Sequence, residues 1–522
     1  MRIFRHAITV SFFTGLSRVL GFAREMVMAH YFGTSLAKSA FDVAFRIPNL
    51  FRRLFGEGAL SAAFVPVFSE ILEKEGREKA NRLAGRVLTM LALFLILITA
   101  AGTVIITIAM QYTTDGTRLA AVLPLLRIML PYMVFICLVA LGMGILNAVG
   151  NFAVSAATPL LLNIVWIAAV FWVCPRLGDS LAERIYGVAW AVLLAGVLQL
   201  VTQVPALLRL RVMPRPSFAW NDRRIREILL LLGPAALGMG VHQVNVVVDG
   251  VLALWAGSWA PAALTYAERL IYLPLGLFAT ALGTVLLPAF ARQVASNRTA
   301  AIPPALARSL RGLMLVMVPA AAGLMILAGP IVQLAFQSGE FDAQSRILTA
   351  RALVFYAPGL AVFSLYKMLV PAFYAIKDTR TPVRTGLIAV GLNLVLNVLL
   401  VVTLPTYYKH AGLAMATVFA SAVNSALLAI VLTRRIGSPG WHSLGASLLK
   451  VLGCSLLMVV VIHLLLGWLE PLPWFSTATK AGQAARVAAA MLAGGAVYAA
   501  SVLLFCRREI SLLRQHNSGG NI

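Results

Sequence analysis

Long apolar runs separated by short polar stretches dominate the chain. A membrane-spanning helix needs about 20 apolar residues. Runs near or above that length cover 87–111, 121–147, 157–175, 185–207, 228–255, 313–336, 348–376, 385–404, 411–433, 446–468 and 482–505. Three weaker stretches, broken by charges, lie at 7–32, 40–70 and 262–291. Together they predict an all-α polytopic membrane protein with about fourteen transmembrane helices.

The placement of basic residues supports that count. Lysine and arginine concentrate at 2–5, 73–82, 209–226, 292–311, 377–384, 434–435 and 507–508. With fourteen spans, all these segments fall on one side of the membrane, together with both termini, as the positive-inside rule requires. If 40–66 did not span, segments 2–5 and 73–82 would face opposite sides. We therefore expect 40–66 to cross the membrane despite its charges.

Composition agrees with a membrane protein and excludes other classes. Hydrophobic residues make up 60% of the 522 residues and charged residues 12%, about half the share in soluble domains. The net charge of +24 lies in short loops, so it indicates topology and contact with membrane lipids rather than nucleic-acid binding. The sequence has no Walker motif, metal-ligand cluster or nucleophile–base pair, so we expect a transporter rather than an enzyme.

An internal repeat predicts two similar halves. ALSAAFVPVFSE (59–70) aligns with ALGTVLLPAFAR (281–292), and NAVGNFAVSAATP (147–159) has a looser counterpart in YAIKDTRTPVRT (374–385). Similar offsets favour a duplicated unit of six helices, with both copies in the same membrane orientation. We predict a six-helix lobe at 1–218, a second at 219–438, and two additional helices with a cytoplasmic tail at 439–522.

Charged residues inside predicted spans are the main candidates for function, because each costs about 2.5–3.5 kcal/mol to insert. Ser17, Arg18 and Arg24 lie in the first helix and Arg269 in the eighth, and the second helix carries Asp42, Arg46, Arg52, Arg53 and Glu57. On an ideal helix, Asp42, Arg46 and Arg53 share one stripe, with Glu57 one turn beyond Arg53.

Two interpretations of these charges stay open from the residues alone. The first is interhelical ion pairing, such as Arg53 with Glu57, or Arg18 or Arg24 with Asp42. The second is a cationic cavity, since these helices carry more arginine than acid and pairing cannot neutralise all of it. Arginine stays charged and binds phosphate through two hydrogen bonds. The cavity interpretation predicts a phosphorylated, lipid-linked substrate.

A second group of polar residues lies in the later helices. His242, Asn245 and Asp249 share a helical face, Asn393 and Asn397 are one turn apart, and Thr417 follows on the next helix. Their oxygens suit a hard monovalent cation, while His242 and Asp249 suit proton relay. Hydrogen bonding between helices is the alternative for the asparagines and the threonine.

Four segments identify a family. SRVLGFARE (17–25), PNLFRRLFGEGALSAAFVPVF (48–68), YAERL (266–270) and ALGTVLLPAF (281–290) resemble the MurJ (MviN) family of bacterial lipid II flippases, within the multidrug/oligosaccharidyl-lipid/polysaccharide exporter superfamily. The resemblance extends over essentially the whole chain. It implies two six-helix lobes around a cationic cavity, and two extra helices that form a groove for the lipid tail.

The resemblance also implies a substrate and site residues. The substrate is undecaprenyl-pyrophosphate-linked disaccharide-pentapeptide (lipid II), flipped across the bacterial cytoplasmic membrane for peptidoglycan synthesis. The cavity arginines correspond to Arg18, Arg24, Arg52 and Arg269, so we expect Arg52 to line the cavity and Arg53 to pair with Glu57. Many relatives carry an acid where this chain has Ser39, and Asp42 is the nearby carboxylate. A sodium site of some relatives corresponds to Asp249, Asn393, Asn397 and Thr417.

The leading hypothesis is therefore a lipid II flippase that works by alternating access, with no cofactor apart from a sodium ion and with cell-wall synthesis proteins as candidate partners. One alternative is export of another lipid-linked oligosaccharide, such as an O-antigen precursor. A non-transporting scaffold for cell-wall enzymes is the other. A scaffold tolerates loss of the cavity charges, whereas a flippase does not.

Overall fold

The computed structural model describes residues 2–56, 59–114, 116–218, 222–507, 509 and 511, without the side chains of some residues inside its helices. Every regular element in this part of the chain is helical. The chain forms two compact units, Met1–Ala262 and Ala263–Ile522. The three-part division at residues 218 and 438 stays a prediction.

The first unit contains nine α-helices: α1 (Arg2–Phe32), α2 (Leu36–Phe51), α3 (Ala59–Lys74), α4 (Arg77–Gln111), α5 (Arg118–Met129), α6 (Tyr132–Ala148), α7 (Phe152–Trp172), α8 (Leu181–Arg209) and α9 (Arg223–Ala256). The unit boundary falls in the first turn of α10 (Ala260–Pro274). The second unit continues with α11 (Thr280–Ala295), α12 (Ile302–Ile326), α13 (Ala328–Phe336), α14 (Ala343–Tyr356), α15 (Gly359–Ala375), α16 (Arg380–Thr403), α17 (Lys409–Ile436), α18 (Trp441–Leu469) and α19 (Lys480–Phe505).

Length and apolar composition make this a multi-pass membrane protein. Among the described residues, nine helical stretches are long and apolar enough to cross a membrane. Two bent pairs, α5–α6 and α14–α15, raise that number to as many as eleven. The predicted all-helical membrane class is confirmed. The charge-bearing α1, α2 and α3 lie outside this set, so the predicted total of about fourteen spans stays a prediction.

A five-residue π-helical segment follows α2. Pro48 lies inside α2, where its ring cannot donate a backbone hydrogen bond. The backbone N–H of Arg52 is shared between the carbonyl oxygens of Asn49 and Pro48, and the π-helical segment Arg52–Gly56 begins there. This wider turn changes the angle between successive side chains, so the stripe expected on an ideal helix does not hold beyond Arg52.

The same local features occur in the second unit. A π-helical segment, Leu275–Ala279, joins α10 to α11 just as Arg52–Gly56 precedes α3. Pro66 of α3 and Pro288 of α11 lie near the middle of equally long helices of 16 residues. The α5–α6 and α14–α15 pairs are each bent by 43°. These shared irregularities agree with the repeat found in the sequence.

Helix packing within each unit leaves apolar side chains on the outside. Leu97 and Ile105 of α4 are 69% and 66% exposed, which suits contact with lipid tails. In the second unit, α18 packs against both α19 and α12. The hydroxyl of Tyr498 in α19 donates to the carbonyl oxygen of Leu315 in α12 at 2.7 Å. The two C-terminal helices are therefore attached to their unit by polar as well as apolar contacts.

Candidate functional site

A network of four buried charges links α1 and α2. The Nη2 atom of Arg24 lies 2.6 Å from Glu25 Oε1, and Lys38 Nζ lies 2.5 Å from Asp42 Oδ1 and 3.7 Å from Glu25 Oε2. Arg24, Glu25 and Lys38 are at most 7% exposed. The ion pairs found among the described residues join two cations to two carboxylates, as buried charges require. Asp42 pairs with Lys38 of its own helix, and in the described part of the chain no ion pair joins it to Arg18 or Arg24.

Two residues of α7 hold the Arg24 guanidinium. Asn163 Oδ1 accepts from Arg24 Nη1 at 3.1 Å, and Asn163 Nδ2 donates to the carbonyl oxygen of Ser17 at 3.3 Å. The guanidinium carbon lies 4.2 Å from the centre of the Trp166 ring, a cation–π contact. Asn163 thus connects α7 to α1 at two points. Trp166 also makes edge-to-face contacts with Phe41 and Phe45 of α2.

The sequence analysis missed Lys38, Asn163 and Trp166. Lys38 carries a local signal, because a lysine and an aspartate at i, i+4 face each other on a helix. Asn163 interrupts the apolar run 157–175, as polar residues in a span do when they bind another helix. The role of Trp166 depends on how α7 packs against α1 and α2, which the sequence does not reveal.

One arginine of α2 and two of the π-helical segment that follows it donate to neutral oxygens. Arg46 Nη1 donates to the carbonyl oxygen of Val246 at 2.7 Å, and Arg52 Nε donates to Asn49 Oδ1 at 2.7 Å. Arg53 Nη1 lies 3.5 Å from Gln243 Oε1 of α9. Glu57, the predicted partner of Arg53, lies outside the described residues.

Ser17 and Arg18 lie on a more open part of α1. Ser17 is half-buried and Arg18 is exposed. Arg18 has no polar partner among the residues that the structure describes, so its guanidinium is available to an anion. Ser39 is fully buried, and its hydroxyl accepts from the backbone N–H of Ala262 at 3.3 Å.

In the second unit, Arg269 of α10 is exposed. Its neighbour Glu268 is half-buried and accepts a hydrogen bond from the Tyr356 hydroxyl at 3.1 Å. This bond fixes Glu268 against α14. Tyr356 is a further residue that the sequence analysis did not single out.

The candidate cation ligands are divided between the units. In the first unit, Asn245 Nδ2 donates to Asp249 Oδ2 at 3.1 Å, while the side chain of His242 lies outside what the structure describes. In the second, Asn397 Nδ2 donates to Asn393 Oδ1 at 3.0 Å, and Asn393 Nδ2 lies 3.5 Å from Thr417 Oγ1. The asparagines are buried and join α16 to α17, as the hydrogen-bonding alternative predicts. Their amide oxygens also suit sodium, so the sodium site stays a prediction.

Comparison with known proteins identifies the family. The family model described as Lipid II flippase MurJ matches residues 28–479. The chain belongs to the MurJ family. Lipid II flippase MurJ from Burkholderia cenocepacia is 36% identical over 475 residues, covering 89% of this chain and 90% of that protein. A probable lipid II flippase MurJ from Vibrio cholerae is 35% identical over 441 residues, covering 82% of each chain.

Solved structures agree with this membership. A lipid II flippase MurJ structure in an inward closed conformation aligns with a TM-score of 0.78 and 25% identity, covering 96% of this chain and 100% of that one. An inward-facing multidrug resistance MATE transporter aligns with a TM-score of 0.67 at 16% identity, covering 82% of this chain and 98% of that one. The latter match shows a shared fold. A MurJ-family fold thus presents arginines from α1, α2 and α10 in otherwise apolar helices.

Proposed function

We propose that this protein flips lipid II from the inner to the outer leaflet of the bacterial cytoplasmic membrane for cell-wall synthesis. The observation that carries the proposal is the MurJ family match over residues 28–479. Named relatives at 36% and 35% identity cover most of the chain and are described as lipid II flippases or probable ones. The substrate's diphosphate has the chemistry that arginine binds best.

The residues divide into two roles under this proposal. Arg18, Arg52 and Arg269 are exposed or half-buried and bind the diphosphate, with Ser17 and Arg53 beside them. Arg24 and Asp42 belong to the balanced four-charge network, so Arg24 reaches the substrate only if its contact with Glu25 loosens. Alternation between an open and a closed arrangement of this network would give the site two affinities, which a transporter needs.

The finer architecture is part of the same proposal. We infer fourteen spans, with α1, the pair α2–α3 and α9 added to the apolar set, and six-helix lobes at 1–218 and 219–438. α1, α2 and the π-helical segment after α2 carry charges proposed to bind substrate, and charged residues within spans often mark a substrate pathway, which supports placing these elements in the membrane. Both termini then lie in the cytoplasm, with the basic loops. Cell-wall synthesis proteins remain candidate partners.

A reconstituted flipping assay tests the proposal. Purified protein in liposomes should move lipid II between leaflets, and Arg18→Ala, Arg52→Ala or Arg269→Ala should abolish movement while insertion stays normal. Arg298→Ala is a matched control, because Arg298 is exposed beyond the end of α11. No lipid II movement by the unaltered protein would contradict the proposal, as would full activity in all three variants. Preference for an O-antigen precursor over lipid II would support the alternative function, export of another lipid-linked oligosaccharide.

A further inference from the structure

A lysine that was not among the residues predicted from the sequence lies within the bent helix pair α14–α15 of the second unit. Lys367 is central in α15, eight residues from each end of that 17-residue helix. Its side chain is half-buried, between the buried core and the exposed surface. An ionisable side chain within a membrane span is costly and marks a functional position more often than a neutral one does.

The structure fixes where this ammonium group lies. Lys367 Nζ donates to Thr280 Oγ1 at 2.8 Å. The Thr280 hydroxyl donates to the carbonyl oxygen of Leu275 at 3.3 Å, the first residue of the π-helical segment Leu275–Ala279. Gly283, one turn further along α11, allows close approach, since a Cβ there would lie 3.2 Å from the Lys367 carbonyl oxygen. The lysine is therefore held at the π-helical segment of its unit.

The first unit also has a basic side chain at its π-helical segment. Arg52 is the first residue of the π-helical segment Arg52–Gly56, and this segment also precedes a 16-residue helix with a central proline. In the second unit, Pro274 occupies the position before the π-helical segment, and α15 supplies the cation instead. Each half of the chain thus brings one basic side chain to its π-helical segment. π-Helical turns occur frequently at functional sites.

We propose that Lys367 binds the diphosphate of the transported lipid, and that Thr280 positions its ammonium group for that contact. This inference rests on the proposed flipping of lipid II and adds a residue to it. Thr280 follows Arg269 by eleven positions, about 16 Å of helix rise. This offset along the chain lets Lys367 and Arg269 compensate the charge of the anion at successive points along its path.

Binding measurements on the full-length protein test this directly. Native mass spectrometry would compare undecaprenyl diphosphate, which carries the anion, with undecaprenol, which lacks it. Lys367→Met keeps the side-chain length and removes the charge, and it should weaken diphosphate binding about tenfold or more without changing undecaprenol binding. Lys367→Arg should retain most of the affinity. Thr280→Val keeps the charge of Lys367 but removes the hydroxyl that accepts its hydrogen bond. It should reduce diphosphate affinity less than Lys367→Met does.

A matched lysine and the uncharged lipid undecaprenol separate charge recognition from packing. Lys377→Met removes an exposed lysine just after α15 and should leave diphosphate binding unchanged. If the unaltered protein binds lipid II and Lys367→Met binds undecaprenyl diphosphate with the same affinity as the unaltered protein, the inference is overturned and the proposed function stays intact. Equal losses for undecaprenol and the diphosphate would also overturn it, because they would show a packing role. Failure of the unaltered protein to bind or flip lipid II would contradict the proposed function itself.

Discussion

Lys38 and Asp42 lie one turn apart on α2 and form a two-pronged ion pair, with Nζ 2.5 and 2.6 Å from the two carboxylate oxygens. Their side chains are 1% and 10% exposed. Removal of one member of such a pair leaves an uncompensated charge in the protein interior. Lys38 also lies 3.7 Å from Glu25 of α1, so the pair connects α2 to the Arg24–Glu25 pair of α1.

Lys38→Met should destabilise the protein by about 3–5 kcal/mol, since it leaves two carboxylates facing one arginine. The double variant Lys38→Met/Asp42→Leu should recover much of that loss, because a neutral pair replaces the ions and Arg24 still balances Glu25. Thermal unfolding in detergent measures both. The control is Lys79→Met, whose lysine is 63% exposed in its pair with Glu75 and should matter by about 1 kcal/mol or less. Equal losses in the single and double variants would refute the idea of a balanced network.

Gly250 of α9 makes room for Arg46. A Cβ at Gly250 would lie 2.9 Å from Arg46 Cδ and 3.0 Å from its Nη1, the atom bonded to the Val246 carbonyl. Gly250→Val should therefore displace the guanidinium and lower the unfolding free energy by about 1–3 kcal/mol. The loss should shrink when Arg46→Ala is already present, and a double-mutant cycle measures this coupling.

The matched control for Gly250 is Gly233 on the same helix, where no atom lies within 4 Å of an added Cβ. Gly233→Ala should be neutral or slightly stabilising, because alanine favours helix. A similar cost at both glycines would show that α9 tolerates no substitution, and would remove the argument for a specific contact with Arg46.

How much the sequence predicted depends on the range of the interactions. The apolar runs predicted helices because each span must satisfy its backbone hydrogen bonds internally. The charges in α1 and α2 were recognised as candidates because they interrupt that pattern. Lys38 and Asp42 carry a local i, i+4 signal, but the contacts of Lys38 with Glu25 and of Arg24 with Asn163 form only when the helices pack together. The π-helical turn at Arg52 also changes the direction of the side chains beyond it, which an ideal helix cannot predict.

Asp378, in the turn between α15 and α16, should make stability depend on pH. Burial raises its pKa, but hydrogen bonds from Thr381 and the charge of Arg435, 3.3 Å away, outweigh this, so the pKa lies below the ordinary 3.8. Because this pKa is depressed, ionised Asp378 stabilises the folded state above about pH 3.8. This stabilisation is lost as the pH falls through the lower folded-state pKa. The stability difference between wild type and Asp378→Asn should therefore shrink from about pH 5 to about pH 3. A difference that grows on acidification would contradict this assignment.

Asn163→Leu should weaken lipid II binding about fivefold, because it removes an acceptor that holds Arg24 and a bond that holds α1 at Ser17. Arg24 retains its ion pair with Glu25 in this variant. The protein should therefore still fold, with a smaller loss of stability than Lys38→Met causes. Binding by native mass spectrometry and thermal unfolding separate the two effects. Thr107→Val is the control, since the Thr107 hydroxyl bonds within α4, to the Thr103 carbonyl oxygen. Unchanged lipid II binding in Asn163→Leu would show that Asn163 only connects the helices.

Asn393, Asn397 and Thr417 allow sodium binding to be distinguished from simple helix linkage. If their oxygens bind sodium, sodium chloride should raise the unfolding midpoint of the wild type above that in choline chloride at equal ionic strength, since a ligand that binds the folded state stabilises it. Thr417→Val should reduce this sodium response, and Asn397→Asp should enlarge it by adding a charge to the ligand set. If the residues only connect α16 to α17, Asn393→Leu should destabilise the protein equally in both salts. An identical midpoint of the wild type in the two salts would exclude a sodium site at these residues under those conditions.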